Sequence, residues 1–186
     1  MLTLRLTQTS LGADRHRVQL DLEGDGAPFA AESDFPFTLS DQDREDLRWY
    51  LEDYLEYPID PAPTIAERIE QRLTEVGTQL FRGLFASDGA RNLWGSIRDQ
   101  LAEIRVEVSS QVEAAAVLPW ELLREPGSDV PVALRAGAFV RVQRQAAQRP
   151  QLPQVTGDTI RVLLVICRPA GDEDVPFQSV ASHLVR

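Results

Sequence analysis

Carboxylates are abundant in this chain but no spacing names a pair as acid and base, and few residues can act as thiol nucleophile, imidazole base or soft metal ligand. They are Cys167, the only cysteine, and His16 and His183, the only histidines. Cys167 ends the apolar, β-branched run at residues 159–167, at the carboxyl end of a strand, where parallel sheets place their active sites. A thiol nucleophile needs a histidine base, and no spacing pairs either histidine with it. A buried cysteine commonly serves as a small hydrophobe. Two isolated histidines and one cysteine do not compose a tetrahedral metal set. Asp172-Glu173-Asp174 lacks the glycine and terminal glutamate of a calcium loop and reads as a solvated turn. Arg168-Pro169-Ala170-Gly171 follows the run with one glycine and a proline, which is no phosphate cradle. The expectation is therefore no catalytic, cofactor-binding or metal-binding residue, and no cofactor.

Composition narrows the partners. The chain has 186 residues, 43% hydrophobic, with a net charge of -10 and a pI near 4.7. All 19 basic residues are arginine. Such an acidic balance disfavours phosphate backbones and anionic membrane surfaces. One cysteine builds no disulfide framework, and Met1-Leu2-Thr3-Leu4-Arg5-Leu6 alternates instead of forming a signal-peptide core. No run approaches the roughly 18 apolar residues of a membrane helix. A cytoplasmic protein is expected.

The elements that position these residues follow from periodicity. Leu2, Leu4 and Leu6, then Val18, Leu20 and Leu22, alternate with polar residues around Gly12-Ala13-Asp14, predicting a β-hairpin with one buried face. His16 is read as an exposed polar position in the second strand. Phe29, Phe35 and Phe37 are expected to pin the following loop to the core. Ser40 is an N-cap, with Asp41 and Asp43 in the first turn of a helix carrying Leu47, Tyr50, Leu51, Tyr54 and Leu55, and Pro58 stops it. A second helix opens at Thr64 with Glu67 completing a capping box. Its stripe is Ile65, Ile69, Leu73, Val76, Leu80 and Leu84, widened by Phe81 and Phe85. Gly77 and Gly83 inside it are expected where another backbone packs close. Leu93, Trp94, Ile97 and Leu101 make a third helix, read as core. Strands follow at Ile104–Val108 and Ala138–Val142, separated by a short helix with Trp120 and Leu123 buried and a surface loop from Arg124. Residues 143–158 read as a linker before the buried strand at 159–167. A strand buried on both faces needs neighbours on each side.

Three stretches together resemble the CHAT family of caspase-like domains, often joined to tetratricopeptide repeats. They are Leu118-Pro119-Trp120-Glu121-Leu122-Leu123, similar to that family's Pro-Trp-Glu-Leu landmark; the strand Ala138-Phe139-Val140-Arg141-Val142; and the run from Ile160 to Pro169 with Asp174-Val175-Pro176-Phe177 beyond it. Residues 47–55 also look like the region preceding the landmark in bacterial members. The resemblance implies an α/β fold: an N-terminal β-hairpin, a mainly helical middle and the first strands of a caspase-like sandwich, incomplete at the C-terminus. It divides the chain into residues 1–37, the hairpin and loop; 38–150, the helical region with the landmark; and 151–186, the linker and first sandwich strand. Active members are cysteine peptidases with a His and Cys dyad, in a Gly-His-Gly-like setting and after a later strand. Neither motif occurs here, and Cys167 does not match the nucleophile. The implied function is the N-terminal portion of such a peptidase, not active alone, with Trp120 buried and Glu121 bonded to backbone across a loop. Its partner would be the missing C-terminal half of its own domain. Two alternatives stay open: a complete non-catalytic interaction module whose open sheet edge receives a protein partner, and a thiol-dependent activity at Cys167.

Overall fold

A computed structural model describes residues 2–12, 14–24, 28–54, 59–112 and 117–142. The expected strand at 159–167, the linker, Cys167, His183, the Asp172-Glu173-Asp174 cluster, Leu55 and Pro58 all lie outside the described residues.

The alternating leucines form β1 (Leu2–Gly12) and β2 (Arg15–Glu23), an antiparallel pair with Leu4 opposite Leu22 and Leu6 opposite Leu20. The register slips between Ser10 and Gly12, where Gly12 takes φ 143°, a backbone that side-chain-bearing residues rarely adopt. The phenylalanine segment is not a loop. Residues Phe29–Pro36 form β3, antiparallel to β2, with Phe35 opposite His16. Only Phe35 of the three is a core residue, 3% exposed, while Phe29 is 39% exposed. The alternation of β3 is masked in the sequence because Ala31 and Ser33 occupy its inward positions. β4 (Ile104–Ser110) lies parallel to β1, and β5 (Ala138–Arg141) parallel to β4, giving one mixed sheet in the order β3-β2-β1-β4-β5. The protein is thus α/β, with the hairpin and the later strands in a single sheet.

Four helices complete the described fold: α1 (Asp41–Glu52), α2 (Ala62–Leu84), α3 (Asp88–Ile97) and the short α4 (Val132–Arg135), with 3-10 turns at Arg98–Glu103 and Trp120–Leu122. Leu4, Leu6, Val18, Leu20 and Phe35 of the sheet share one core with Leu80, Leu84, Leu93, Trp94 and Ile97 of α2 and α3. The other sheet face carries ion pairs, Arg5 to Glu23 and Glu107, and Arg17 to Asp34 and Glu32. No helix among the described residues is long and apolar enough to cross a membrane.

α2 begins two residues before the expected Thr64, and no side chain caps it. Prolines 61 and 63 explain this: a missing N–H costs nothing in a first turn, whose amides have no helical acceptor. Along α2, Ile69, Val76, Leu80 and Leu84 are buried as the spacing predicts, whereas Ile65 and Leu73 are half-buried. Both internal glycines are sterically required. A Cβ on Gly77 would lie 1.8 Å from the Leu122 carbonyl oxygen, and one on Gly83 would lie 2.6 Å from the Phe35 ring. The close neighbour is backbone for Gly77 but a side chain for Gly83.

α1 is attached by polar joints, and its Leu51 is 57% exposed, outside the expected apolar stripe. Tyr50 donates to Glu70 at 2.6 Å, and that acceptor carboxylate, with burial, pushes the phenol up to about 12. Ser40 caps the helix as the sequence predicts: its Oγ accepts from the Asp43 N–H while the Asp43 carboxylate accepts from the Ser40 N–H. Arg72 of α2 then forks onto the same carboxylate, Nε to Oδ1 at 2.7 Å and Nη2 to Oδ2 at 3.1 Å. These bonds, Arg72 foremost, hold the Asp43 carboxyl at about 2, against 3.8 ordinarily. A carboxyl with a depressed folded pKa stabilises the fold fully above its unfolded value, and that contribution fades as pH falls through the folded one. We therefore expect the α1–α2 joint to weaken between about pH 4 and pH 2. Asp43→Asn should cost about 1–2 kcal/mol at neutral pH, kept modest because Arg72 is 39% exposed. Urea denaturation from pH 7 to pH 2 checks both: the wild-type advantage over the Asn variant should vanish at the acid end.

Candidate functional site

The one sequence motif that singles out a locus is Leu118 to Leu123, and the fold seats it between β1 and α2. Three backbone bonds wind it into a tight turn: Trp120 N–H to Leu118, Leu122 N–H to Pro119 and Leu123 N–H to Trp120. Leu118, Trp120 and Leu123 point into the core, each at most 1% exposed. On one side the Leu122 carbonyl occupies the space that the missing Gly77 side chain leaves, and the Arg124 N–H donates to the Gly77 carbonyl at 3.2 Å. On another, Val132 N–H donates to the Leu123 carbonyl at 2.8 Å, fixing α4 to the turn. The buried indole Nε1 of Trp120 and the buried Nε of Arg124 have no hydrogen-bond partner among the described residues.

Glu121 does not bond backbone across a loop as expected. It is exposed and forks onto Arg141 of β5, with both nitrogens 2.6 Å from its oxygens. Burial alone would raise the Glu121 carboxyl, but the Arg141 bonds outweigh it and hold it below the ordinary range. This ion pair links the turn to the last described strand. β5 forms the end of the described sheet, and no described strand lies on its far side.

His16 is the clearest departure from the sequence reading. It is 4% exposed and belongs to a buried polar chain. Gln8, fully buried, accepts at Oε1 from the Leu118 N–H at 3.2 Å and from Ser110 Oγ at 2.9 Å. Because an amide N–H can only donate, Oε1 must face Leu118, which turns the Gln8 amide nitrogen toward His16 Nδ1 at 3.1 Å. His16 Nδ1 then accepts, so its Nε2 carries the proton and donates to the Phe37 carbonyl at 3.0 Å. The signal for this was present: His16 has the parity of Val18 and Leu20, and Gln8 that of Leu4 and Leu6, so both fall on the core face. Arginines on each side of His16 obscure it. Gln8→Leu should leave the Leu118 N–H and His16 unsatisfied and cost about 2 kcal/mol, read as a lowered denaturation midpoint.

Among the described residues no histidine is free to serve as a base. His16, the histidine among the described residues, spends both nitrogens on Gln8 and Phe37, and no described cluster of three His, Cys, Asp or Glu residues could hold a metal ion. Cys167 and His183 lie outside the described residues. The chain matches no family model, no curated protein and no solved structure.

Proposed function

We propose that this chain is the N-terminal portion of a CHAT-type, caspase-like cysteine peptidase, lacking the dyad and inactive alone. The observation that carries the reading is the residue pattern itself, Leu118-Pro119-Trp120-Glu121-Leu122-Leu123 followed by the strand at Ala138 and the run from Ile160 to Pro169. The buried setting of Trp120 supports a structural role for the landmark. Reading the coding frame past the Arg186 codon tests the proposal. An open frame containing a Gly-His-Gly-like segment and a later cysteine is expected; a stop codon at that point overturns it.

A second reading, a non-catalytic module that takes a protein partner, is favoured by one feature. The far side of β5 has no strand against it among the described residues, and such an edge accepts an added strand. On that reading the 186-residue chain unfolds cooperatively by itself and gains a strand-forming partner at β5. Hydrogen exchange at Phe139 and Val140 that slows when the partner binds would support it.

A further inference from the structure

A depression of about 550 Å³ opens between the end of α2 and α3. Its floor is aromatic. Phe81 meets Trp94 edge-on at 5.1 Å, and Phe85 packs against both rings. Glu125 holds the indole in place, accepting from Trp94 Nε1 at 2.9 Å while its other oxygen accepts from Arg135. The wall is basic: Arg82, Arg91 and Arg98 line the depression, and no carboxylate does. The chain carries a net charge of -10, and the depression beside α1 is lined by Glu45, Asp46 and Asp53 with one arginine, Arg48. Arg82 has no ion pair among the described residues; Arg98 pairs with its exposed neighbour Asp99 at 3.5 Å and acts on Glu125, and Arg91 pairs with the exposed Asp88 while donating to the Ala86 carbonyl at 2.7 Å.

The second observation is Gly95, in the last turn of α3 and on the same wall. Glycine is the poorest helix former after proline. At Gly77 and Gly83 the fold itself occupies the space of the missing side chain. At Gly95 an added Cβ would meet nothing within 4 Å. The folded chain makes no use of this glycine, but a backbone approaching from outside would.

We propose that this depression binds an acidic peptide segment of a partner protein. Its main chain passes over Gly95, one aromatic side chain rests on the Phe81–Phe85–Trp94 floor, and its carboxylates meet Arg82, Arg91 and Arg98. The overall negative charge of the chain repels such a segment elsewhere, so the local arginines select the site.

The test is fluorescence anisotropy of a short labelled peptide of Glu and Asp residues around a single Phe, with the full chain. The peptide should bind, and rising salt should weaken it. Gly95→Leu should lower affinity at least about tenfold while the thermal midpoint holds or rises. Arg82→Glu combined with Arg98→Glu should abolish binding. A peptide with Lys in place of the acids should not bind. The proposal fails if the acidic peptide does not bind the wild-type chain, if the basic one binds as well, or if Gly95→Leu, still folded, binds it unchanged.

Discussion

Trp120→Ala should be the most damaging single truncation in the described fold, costing about 3–5 kcal/mol. The indole is 0% exposed and stands between Leu118 and Leu123 in a turn fixed from two sides. Its removal leaves a large void that the turn cannot close, because the Gly77, Val132 and Gln8 contacts hold the turn's backbone in place. Chemical denaturation reads the loss directly, and an unchanged midpoint would show that the indole does not fill the core. Trp120→Phe separates packing from hydrogen bonding. The indole N–H has no partner among the described residues, so the Phe variant gives up volume but no described bond and should cost only about 1–2 kcal/mol. A Phe variant as unstable as the Ala variant would mean that the N–H is engaged after all.

Gly77→Ala is expected to cost about 3 kcal/mol, at the upper end of overpacking effects, although alanine is the better helix former. Its methyl would stand 1.8 Å from the Leu122 carbonyl oxygen, with the Leu122 carbonyl carbon at 2.9 Å. The obstacle is backbone and cannot swing aside as a side chain can. Either α2 or the Trp120 turn must move, and the Arg124 bond to the Gly77 carbonyl stretches with it. Gly95→Ala provides the contrast within the same protein. That methyl meets nothing within 4 Å, so the helix propensity gain of about 0.5–1 kcal/mol should appear undiminished. Measured side by side, the two substitutions should shift the midpoint in opposite directions. Equal shifts would contradict the seating of the turn on α2.

These expectations sort the fold into what local pattern encodes and what packing decides. The hairpin of β1 and β2, the Ser40 cap, the stripe Leu93-Trp94-Ile97 and the burial of Trp120 and Leu123 are all legible along the chain, whereas α3 ends at Ile97 and the expected Leu101 falls in the 3-10 turn after it. Each rests on a period or a cap formed by residues a few positions apart, so no distant partner is needed to read it. β3 was not legible, because Ala31 and Ser33 dilute its inward face, and only pairing with Leu20 and Val18 makes it a strand. The exposure of Leu51 was equally hidden, since α1 is attached through Asp43 to Arg72 and Tyr50 to Glu70, contacts 29 and 20 residues apart.

The candidate site divides the same way. By itself the sequence determined an acidic α/β chain and the buried face of the turn that carries Trp120. Tertiary structure decided how Gln8, bonded to His16, reaches Leu118, 110 residues away, and which glycine the fold needs. It also decided where three arginines converge on an aromatic floor. Periodicity reports which way a residue faces, whereas a site depends on which faces meet, and that is settled only when the helices close on the sheet.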